Sequence, residues 1–261
     1  MRPNKKTANI LQIGIHRQDE QWQFLWFDEQ KQPHFLTKND NPPLKLSDLT
    51  PQFAKNICTW IACLPNQHVW VKTIILTQKL NEQECQQQCN LIIENELPTD
   101  FGDIWYDYQY KELTQGAKLA IYVVRKQTAQ NYVHRFFPIK INTLDCLSNS
   151  LLRAFHYFHP QKEKMETLYL YQDRNGCIAI QEIGQQTIVL QKNDKNITAL
   201  YQEFCQRFNC QPQQVWCYCE KNEQQNITHK WNIINTELPF IALGNALWGR
   251  NELYQITELK E

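Results

Sequence analysis

The chain has 261 residues, of which 42% are hydrophobic, so it is long enough to bury one large core or two small ones and is globular in composition. Its 27 basic and 27 acidic residues cancel. A neutral chain has no bulk electrostatic attraction for nucleic acid or for an anionic membrane surface, so we expect no direct nucleic-acid partner. The basic segment 1–9 leads into a short apolar run, residues 10–15, which is too short for a signal-peptide core. No later run reaches membrane-spanning length, so we expect a cytoplasmic protein that meets a membrane only through a partner.

Cysteine and histidine are the residues that could bind a metal. The ten cysteines form no Cys-x-x-Cys pair, so the usual signature of a structural zinc site is missing. Cys85 and Cys89 lie one helical turn apart, but they share a face with apolar residues 92, 93 and 97, which favours core packing over metal binding. For His156 and His159, also one turn apart, a solvated helix end is favoured over a metal pair. We therefore expect no metal.

Catalytic motifs are also missing. The sequence contains no Gly-x-Ser-x-Gly, His-Glu-x-x-His or Walker-type phosphate loop. The sequence cannot identify a Cys–His nucleophilic pair, because ten cysteines and seven histidines would supply candidate pairs by chance alone. No catalytic residue is predicted.

Alternating and apolar runs predict the elements of the first half. Residues 9–15 and 22–27 form a β-hairpin, followed by a proline-rich loop with one short strand at 34–37. The next predicted elements are strands at 59–63 and 69–76, a helix at 81–97, strands at 104–110 and 118–125, a helix at 128–137, a strand at 139–144 and a helix at 147–157. Asp145 or Ser148 is the expected cap of that last helix. The order strand, strand, helix, strand, strand, helix resembles a split βαβ module.

The polar segment 160–166 is the predicted boundary, and the second half opens with another hairpin. Strands at 167–172 and 177–183 flank an Asn-Gly turn. A strand at 187–191, a helix at 197–208, a strand at 215–219 and a closing helix at 240–248 follow. The fold class is therefore mixed α/β or α+β, in two similar halves.

An ordered set of segments resembles the PilM family of type IV pilus assembly proteins, most closely its short competence protein A (ComA) variant. The segments are ILQIG at 10–14 with 22–27, IACLP through KTIIL at 61–76, NLIIENELP at 90–98 with WYDY at 105–108, AIYVVRK at 120–126, LLRA at 151–154 and IALGNALWG at 241–249. The resemblance implies an actin-like, FtsA-like fold of two lobes. The first lobe spans residues 1–159 with an inserted subdomain at about 54–137. The second, shortened lobe spans 167–261 and ends in a closing helix at about 240–249.

The resemblance also implies a function. Members of the family act on the cytoplasmic face of the inner membrane, where they bind the N-terminal cytoplasmic peptide of a PilN-like bitopic membrane protein in pilus biogenesis or DNA uptake. The implied function is therefore a cytoplasmic scaffold of pilus assembly and competence, with self-association as a further expectation. The alternative within the same machinery is a nucleotide-binding actin-like ATPase switch.

Longer members of the family can bind ATP between the lobes, and this sequence departs from their pattern. Gln12 stands where the first loop needs an acid, and only Gly14 of its small residues is kept. In the second hairpin Asp173 replaces the expected glycine before Gly176. Phosphate loops use glycine so that backbone N–H groups approach closely. The sequence thus predicts degenerate phosphate loops, no cofactor, and ATP with Mg²⁺ as the disfavoured alternative.

Aromatic residues are abundant, with eight tryptophans and eleven tyrosines. Half of those on strands are expected to fill the core, and the outward-facing ones to line a peptide groove, where aromatic side chains contribute much of the affinity. The resemblance puts that groove between the first lobe and the inserted subdomain. The predicted partner-binding residues are Trp70, Trp105 and Tyr108, with Arg125 or Lys126 as polar anchors. A third hypothesis is an unrelated soluble enzyme or a thiol-based metal protein. Stoichiometric zinc in the purified protein would support this hypothesis.

Overall fold

The structure is a computed structural model that describes residues 10–49, 53, 57–160, 166–220 and 230–250. The basic segment 1–9, most of the predicted boundary (161–165), His229 and the last eleven residues of the predicted second lobe lie outside the described residues. In the described part there are thirteen strands and five α-helices. None of the helices in these ranges is both long and apolar enough to span a membrane.

The first sheet has five strands in the order β3-β2-β1-β4-β8. They are β1 (Ile10–Gln18), β2 (Gln21–Phe27), β3 (Pro33–Asn39), β4 (Ile57–Leu64) and β8 (Thr143–Cys146). Strands β1 and β2 form the predicted antiparallel hairpin, while β1–β4 and β4–β8 are parallel. Trp22, Phe24 and Ile13 are fully buried in the core on one face of this sheet.

Two sequence predictions near β8 are wrong. The strand begins at Thr143 rather than 139, because Ile139 belongs to a turn in which its N–H donates to the Phe136 carbonyl. The helix that follows, Leu147–Phe158, has Cys146 at its N-cap position and no side-chain cap. Instead of capping the helix, the Asp145 carboxylate accepts a hydrogen bond from the Cys146 N–H and forms an ion pair with Arg153, whose Nη2 lies 2.5 Å away.

The second sheet has three strands in the order β5-β7-β6, formed by β5 (Trp70–Leu76), β6 (Ile104–Glu112) and β7 (Ala117–Arg125). Both outer strands are antiparallel to β7, so β5 and β6 run parallel on either side of it, which is the predicted split βαβ arrangement. Their crossover is helix α1 (Glu82–Glu96), which starts at an Asn81–Glu84 capping box. Helix α2 (Lys126–His134) follows β7. The predicted strand at 59–63 does not join this sheet, because as β4 it pairs with β1 and β8.

The third sheet forms the second half, in the order β11-β10-β9-β12-β13. Its strands are β9 (Thr167–Asp173), β10 (Gly176–Ile183), β11 (Gln186–Lys192), β12 (Gln214–Cys219) and the two-residue β13 (Asn232–Ile233), which the sequence did not predict. Helix α4 (Ile197–Phe208) covers one face through Leu200 and Phe204. The hairpin predicted around the Asn-Gly turn is confirmed.

Two helices lie between the first and third sheets. These are α3 (Leu147–Phe158) and the closing helix α5 (Phe240–Ala246), which ends two residues earlier than predicted. Phe155 of α3 and Phe240 of α5 pack together, with ring centroids 4.9 Å apart, in a core that takes residues from both sheets. Residues distant in sequence thereby form one body around these helices.

Candidate functional site

The three-stranded sheet has one covered face and one open face. Side chains of the covered face, including Leu119, Ile121 and Val123, pack against Cys85, Cys89 and Ile93 of α1. Because side chains alternate along a strand, the residues between them point the other way. The open face is therefore formed by Trp105, Asp107 and Gln109 on β6, with Tyr122 and Val124 opposite them on β7.

A groove of about 850 Å³ lies between this open face and the edge of the first sheet. Its second wall is the chain from the end of α2 through β8, and Trp248 closes one end after α5. The lining side chains are mainly apolar and aromatic, and they include Leu64, Val69, Trp105, Tyr122, Val124, Val133, Phe137, Ile139, Ile141, Leu144 and Trp248. The volume falls within the range of pockets that bind small molecules or short peptide segments.

Three aromatic side chains of the groove are exposed to solvent. The exposed fraction is 45% for Trp105, 77% for Phe137 and 41% for Trp248. Large apolar side chains that converge on one concavity and stay exposed are typical of interaction sites, because a partner would bury them.

The charge of the groove is acidic. Its lining includes Asp107 and Asp145 but no lysine or arginine. Asp145 is paired with Arg153. Asp107 accepts a 2.8 Å hydrogen bond from the Tyr108 N–H and has no cationic partner in the described part of the chain. The groove thus offers one uncompensated carboxylate beside its apolar wall.

The structure brings one of the four predicted partner-binding residues, Trp105, into the groove by its side chain. Trp70 and Tyr108 pack on the covered face, and the Tyr108 hydroxyl donates to the Glu82 carbonyl at 3.5 Å. Tyr108 borders the groove, but its ring does not point into it. Arg125 ends β7 at the N-cap position of α2, and the Lys126 Nζ donates to the Gly102 carbonyl at 2.5 Å.

Sequence reasoning missed two of the groove's exposed aromatics, Phe137 and Trp248. Phe137 was assigned to the end of a helix, and Trp248 to the closing helix. Neither lies on a strand, and Trp248 reaches the groove only through the packing of α5 between the sheets. No local pattern signals either residue.

A second concavity, of about 300 Å³, lies between the two halves, where the tips of the hairpins β1–β2 and β9–β10 meet. Arg174 at one tip donates to Asp19 at the other, with 2.8 Å between Nη1 and Oδ2. Asp173 accepts hydrogen bonds from the Tyr171 hydroxyl (3.2 Å) and the Asn175 N–H (2.8 Å). Burial raises the pKa of the Asp173 carboxyl above its usual value, although the hydrogen bonds from Asn175 and Tyr171 partly offset this effect.

The predicted phosphate-loop residues have structural contacts. The Gln12 side chain donates to the carbonyls of Ala246 (2.8 Å) and Trp248 (2.7 Å) after the closing helix. A Cβ added to Gly14 would lie 2.0 Å from the Ala242 carbonyl oxygen of that helix. A Cβ on Gly176 would lie 2.1 Å from the Lys192 carbonyl oxygen. Both glycines therefore allow close approach of neighbouring backbone.

Two donors in this cleft have no partner in the described part of the chain, His16 Nε2 and Gln18 Nε2. Burial, then the nearby charges of Arg135 and Arg174, lowers the pKa of His16 to about 4, so the imidazole is neutral at physiological pH. Within the described ranges, no group of three or more His, Cys, Asp or Glu side chains is arranged to hold a metal ion. Burial also raises the pKa of the Cys89 thiol to about 11, so this cysteine is protonated in the core under α1.

Comparison with known proteins gives matches by structure only. No protein-family model matches the sequence, and no curated protein matches it. The fold is similar to a chain of the PilM–PilN type IV pilus biogenesis complex, with a TM-score of 0.64 and 10% identity over 95% of this chain and 98% of that chain. It is also similar to the cytoplasmic domain of EpsL, an inner-membrane component of the type II secretion system of Vibrio cholerae. That match has a TM-score of 0.52 and 10% identity over 92% of this chain and 94% of the other.

These matches confirm the predicted fold class, a mixed α/β fold. At 10% identity they concern the fold alone. They support the resemblance to PilM, whereas the closer assignment to the short ComA variant stays a prediction.

Proposed function

We propose that this chain is a cytoplasmic adaptor that binds the N-terminal cytoplasmic segment of a PilN-like inner-membrane protein. In this proposal it lies at the inner face of the inner membrane and serves type IV pilus assembly and DNA uptake. It has two lobes, residues 1–159 and a shortened 167–261, and the insertion, predicted at about 54–137, begins after β4, because β4 belongs to the first sheet. The observation that carries the proposal is the aromatic groove between the insertion and the first sheet, in a chain whose fold is similar to that of PilM from a PilM–PilN complex.

The groove suits an extended apolar segment. One wall is a sheet face with Trp105 and Val124 side by side on adjacent strands. The other wall supplies Phe137, Ile139 and Ile141. Burying a Trp or Phe side chain contributes roughly 1.5–3 kcal/mol, so the exposed aromatic side chains of the groove would supply a large share of the binding free energy, and further apolar and main-chain contacts must supply the rest.

The charge of the groove favours a chain that starts with a free amino group. Asp107 is the uncompensated carboxylate beside the apolar wall, and an N-terminal segment carries one positive charge that no internal apolar segment has. Cytoplasmic segments next to a membrane span are also enriched in Lys and Arg. An N-terminal segment is therefore the occupant that matches both the apolar wall and the acid.

The cleft between the lobes does not fit Mg-ATP in this chain. Phosphates need backbone N–H groups at an open glycine loop, but Gly14 and Gly176 lie against neighbouring backbone. Asp19 and Asp173 place carboxylates at the two hairpin tips. Arginines are present at the cleft, but Arg17 is paired with Asp40 and Arg174 with Asp19. We infer that partner binding does not depend on nucleotide and that the chain is not an ATPase.

The resemblance to the PilM family implies a partner with an Asn-Leu-Leu-Pro-like N-terminus. The direct test is therefore calorimetry with a synthetic peptide that contains an Asn-Leu-Leu-Pro core and a free N-terminus. The expected result is binding in the micromolar range, weakened at least tenfold by Trp105→Ala. Phe35→Ala is the matched control, because Phe35 is also 45% exposed on a strand but lies outside the groove. Equal losses of affinity in both variants, or no loss of affinity in Trp105→Ala, would show that the groove is not the binding site.

The role in DNA uptake is a separate part of the proposal. Deletion of the gene should abolish natural transformation, and complementation with a Trp105→Ala variant that folds normally should not restore it. Normal transformation in the deletion strain would exclude this role. Self-association is proposed as secondary, and sedimentation of the purified chain with and without the peptide measures it.

A further inference from the structure

Strand β6 is the outer strand of the insertion's sheet on the groove side. Within the described part of the chain its one strand neighbour is β7, so no described strand pairs with its other edge. Five consecutive residues of β6, 105–109, line the groove. A free strand edge with unpaired N–H and C=O groups is a template for another strand.

The register shows which backbone groups of β6 face the free edge. At the end of the β6–β7 hairpin the Leu113 N–H donates to the Gly116 carbonyl at 3.1 Å, so that pair is hydrogen-bonded. Hydrogen-bonded and non-bonded pairs alternate in an antiparallel ladder. Counting back through the register, Asp107 and Gln109 bond to β7, while Tyr106 and Tyr108 direct their N–H and C=O groups outward.

An independent contact agrees with this assignment. The Tyr108 N–H donates to the Asp107 carboxylate at 2.8 Å, which requires that this N–H be free of β7. The Asp107 carboxylate therefore accepts the hydrogen bond of one outward N–H, that of Tyr108. The Tyr106 N–H and the carbonyls of Tyr106 and Tyr108 are left for another partner. A charged side chain on an edge strand also opposes indiscriminate strand pairing.

We propose that the partner's N-terminal segment binds by β-strand addition to β6; this inference rests on the proposed function. The segment becomes the fourth strand of the insertion's sheet, in the order β5-β7-β6-partner. Two outward-facing residues of β6 pair with about four residues of the segment at roughly 3.3 Å per residue. The added strand continues the open face of the sheet, so its alternate side chains lie beside Trp105 and opposite Phe137 and Ile141. Main-chain bonds then supply affinity that does not depend on the partner's sequence, and the aromatic wall supplies the preference for apolar residues.

The test is residue-resolved amide hydrogen exchange of the full chain with and without the Asn-Leu-Leu-Pro peptide. Strand addition should slow exchange of the Tyr106 amide at least tenfold, whereas the Tyr108 amide, which already donates to the Asp107 carboxylate, should change less. The Asp107 and Gln109 amides, which already bond to β7, should change much less and serve as the internal control. In parallel, peptides with single backbone N-methyl groups should lose binding at alternate positions only.

The outcomes separate this inference from the proposed function. If the peptide binds and Trp105→Ala weakens binding, but the Tyr106 amide exchanges as before and N-methylation has no alternating effect, strand addition is wrong and docking in the groove stands. If the peptide does not bind at all, the proposed function fails and the inference fails with it. Slower exchange of all four amides by the same factor would indicate general rigidification and would also contradict strand addition.

Discussion

The Asn245 side chain donates a 2.9 Å hydrogen bond to the main-chain carbonyl of Ile15, 230 residues earlier in the chain. Its Oδ1 accepts a 2.8 Å bond from the Ser150 hydroxyl of α3. Asn245 is fully buried. One amide on the closing helix thus connects that helix to β1 of the first sheet and to α3, and the connection holds the groove wall that ends at Trp248.

Asn245→Ala should lower the free energy of unfolding by about 1–3 kcal/mol. The change leaves the buried Ile15 carbonyl without the Asn245 donor, which costs about 1–3 kcal/mol, while the Ser150 hydroxyl keeps the Ile241 carbonyl as an acceptor at 3.2 Å. Urea denaturation followed by circular dichroism measures it. Gln186→Ala, at an exposed position of β11, is the control and should change stability by less than about 0.5 kcal/mol. A loss for Asn245→Ala as small as the control's would show that this amide does not stabilise the fold.

Gly14→Ala should destabilise the protein by at least about 1–3 kcal/mol, because the new methyl group would overlap the backbone of α5. The nearest atoms would be the Ala242 oxygen at 2.0 Å and the Ala246 nitrogen at 2.3 Å. In Gly102→Ala the nearest atom lies at 3.4 Å, so this variant should fold normally. Thermal unfolding of both variants compares them, and an unchanged melting temperature for Gly14→Ala would contradict the packing role of Gly14.

Asp107→Asn should weaken peptide binding several-fold at low salt and make the affinity less dependent on salt. The substitution keeps the size of the side chain and an oxygen for the Tyr108 N–H, but removes the charge that attracts the amino terminus. Asp103→Asn removes an exposed acid that does not line the groove and should leave both quantities unchanged. Identical salt dependence in the Asp107→Asn variant and the parent protein would exclude an electrostatic role for this carboxylate.

His16 should make the protein less stable in mild acid. Its folded pKa of about 4 lies below the usual histidine value of 6.5, so the folded state favours the neutral imidazole. The contribution of this group to stability is therefore fully present above pH 6.5 and is lost as the pH falls from 6.5 through 4, by roughly 3 kcal/mol in all. His16→Gln, which cannot titrate, should lose less stability between pH 7 and pH 5 than the parent chain does. Parallel losses in the two proteins would show that another group controls acid stability.

Much of the fold follows from local patterns. Alternation predicts the hairpins β1–β2 and β9–β10, and Asn81 with Glu84 marks the start of α1. Local patterns do not state which sheet a strand joins. The strand at 59–63 was grouped with the insertion because it is near in sequence, whereas it pairs with β1 in the first sheet.

The groove was only partly predictable for a related reason. Alternation along β6 separates Tyr106 and Tyr108 from Trp105 and Asp107, but the sequence does not say which set a helix covers. Helix α1 covers the face that carries Tyr106 and Tyr108. Trp105 lies on the opposite face together with Asp107, and it therefore faces the groove. Phe137 lies shortly after α2 and Trp248 shortly after α5, so only tertiary packing brings these two distant residues to the same groove.

The central claim is that the groove binds the partner's N-terminal segment without help from nucleotide. The most direct measurement is calorimetric titration of the Asn-Leu-Leu-Pro peptide into the protein, first alone and then with millimolar Mg-ATP. We predict the same micromolar affinity in both titrations and no heat when Mg-ATP is added to the protein alone. Binding that appears only with Mg-ATP would contradict this account, because the cleft between the lobes would then be a working nucleotide site.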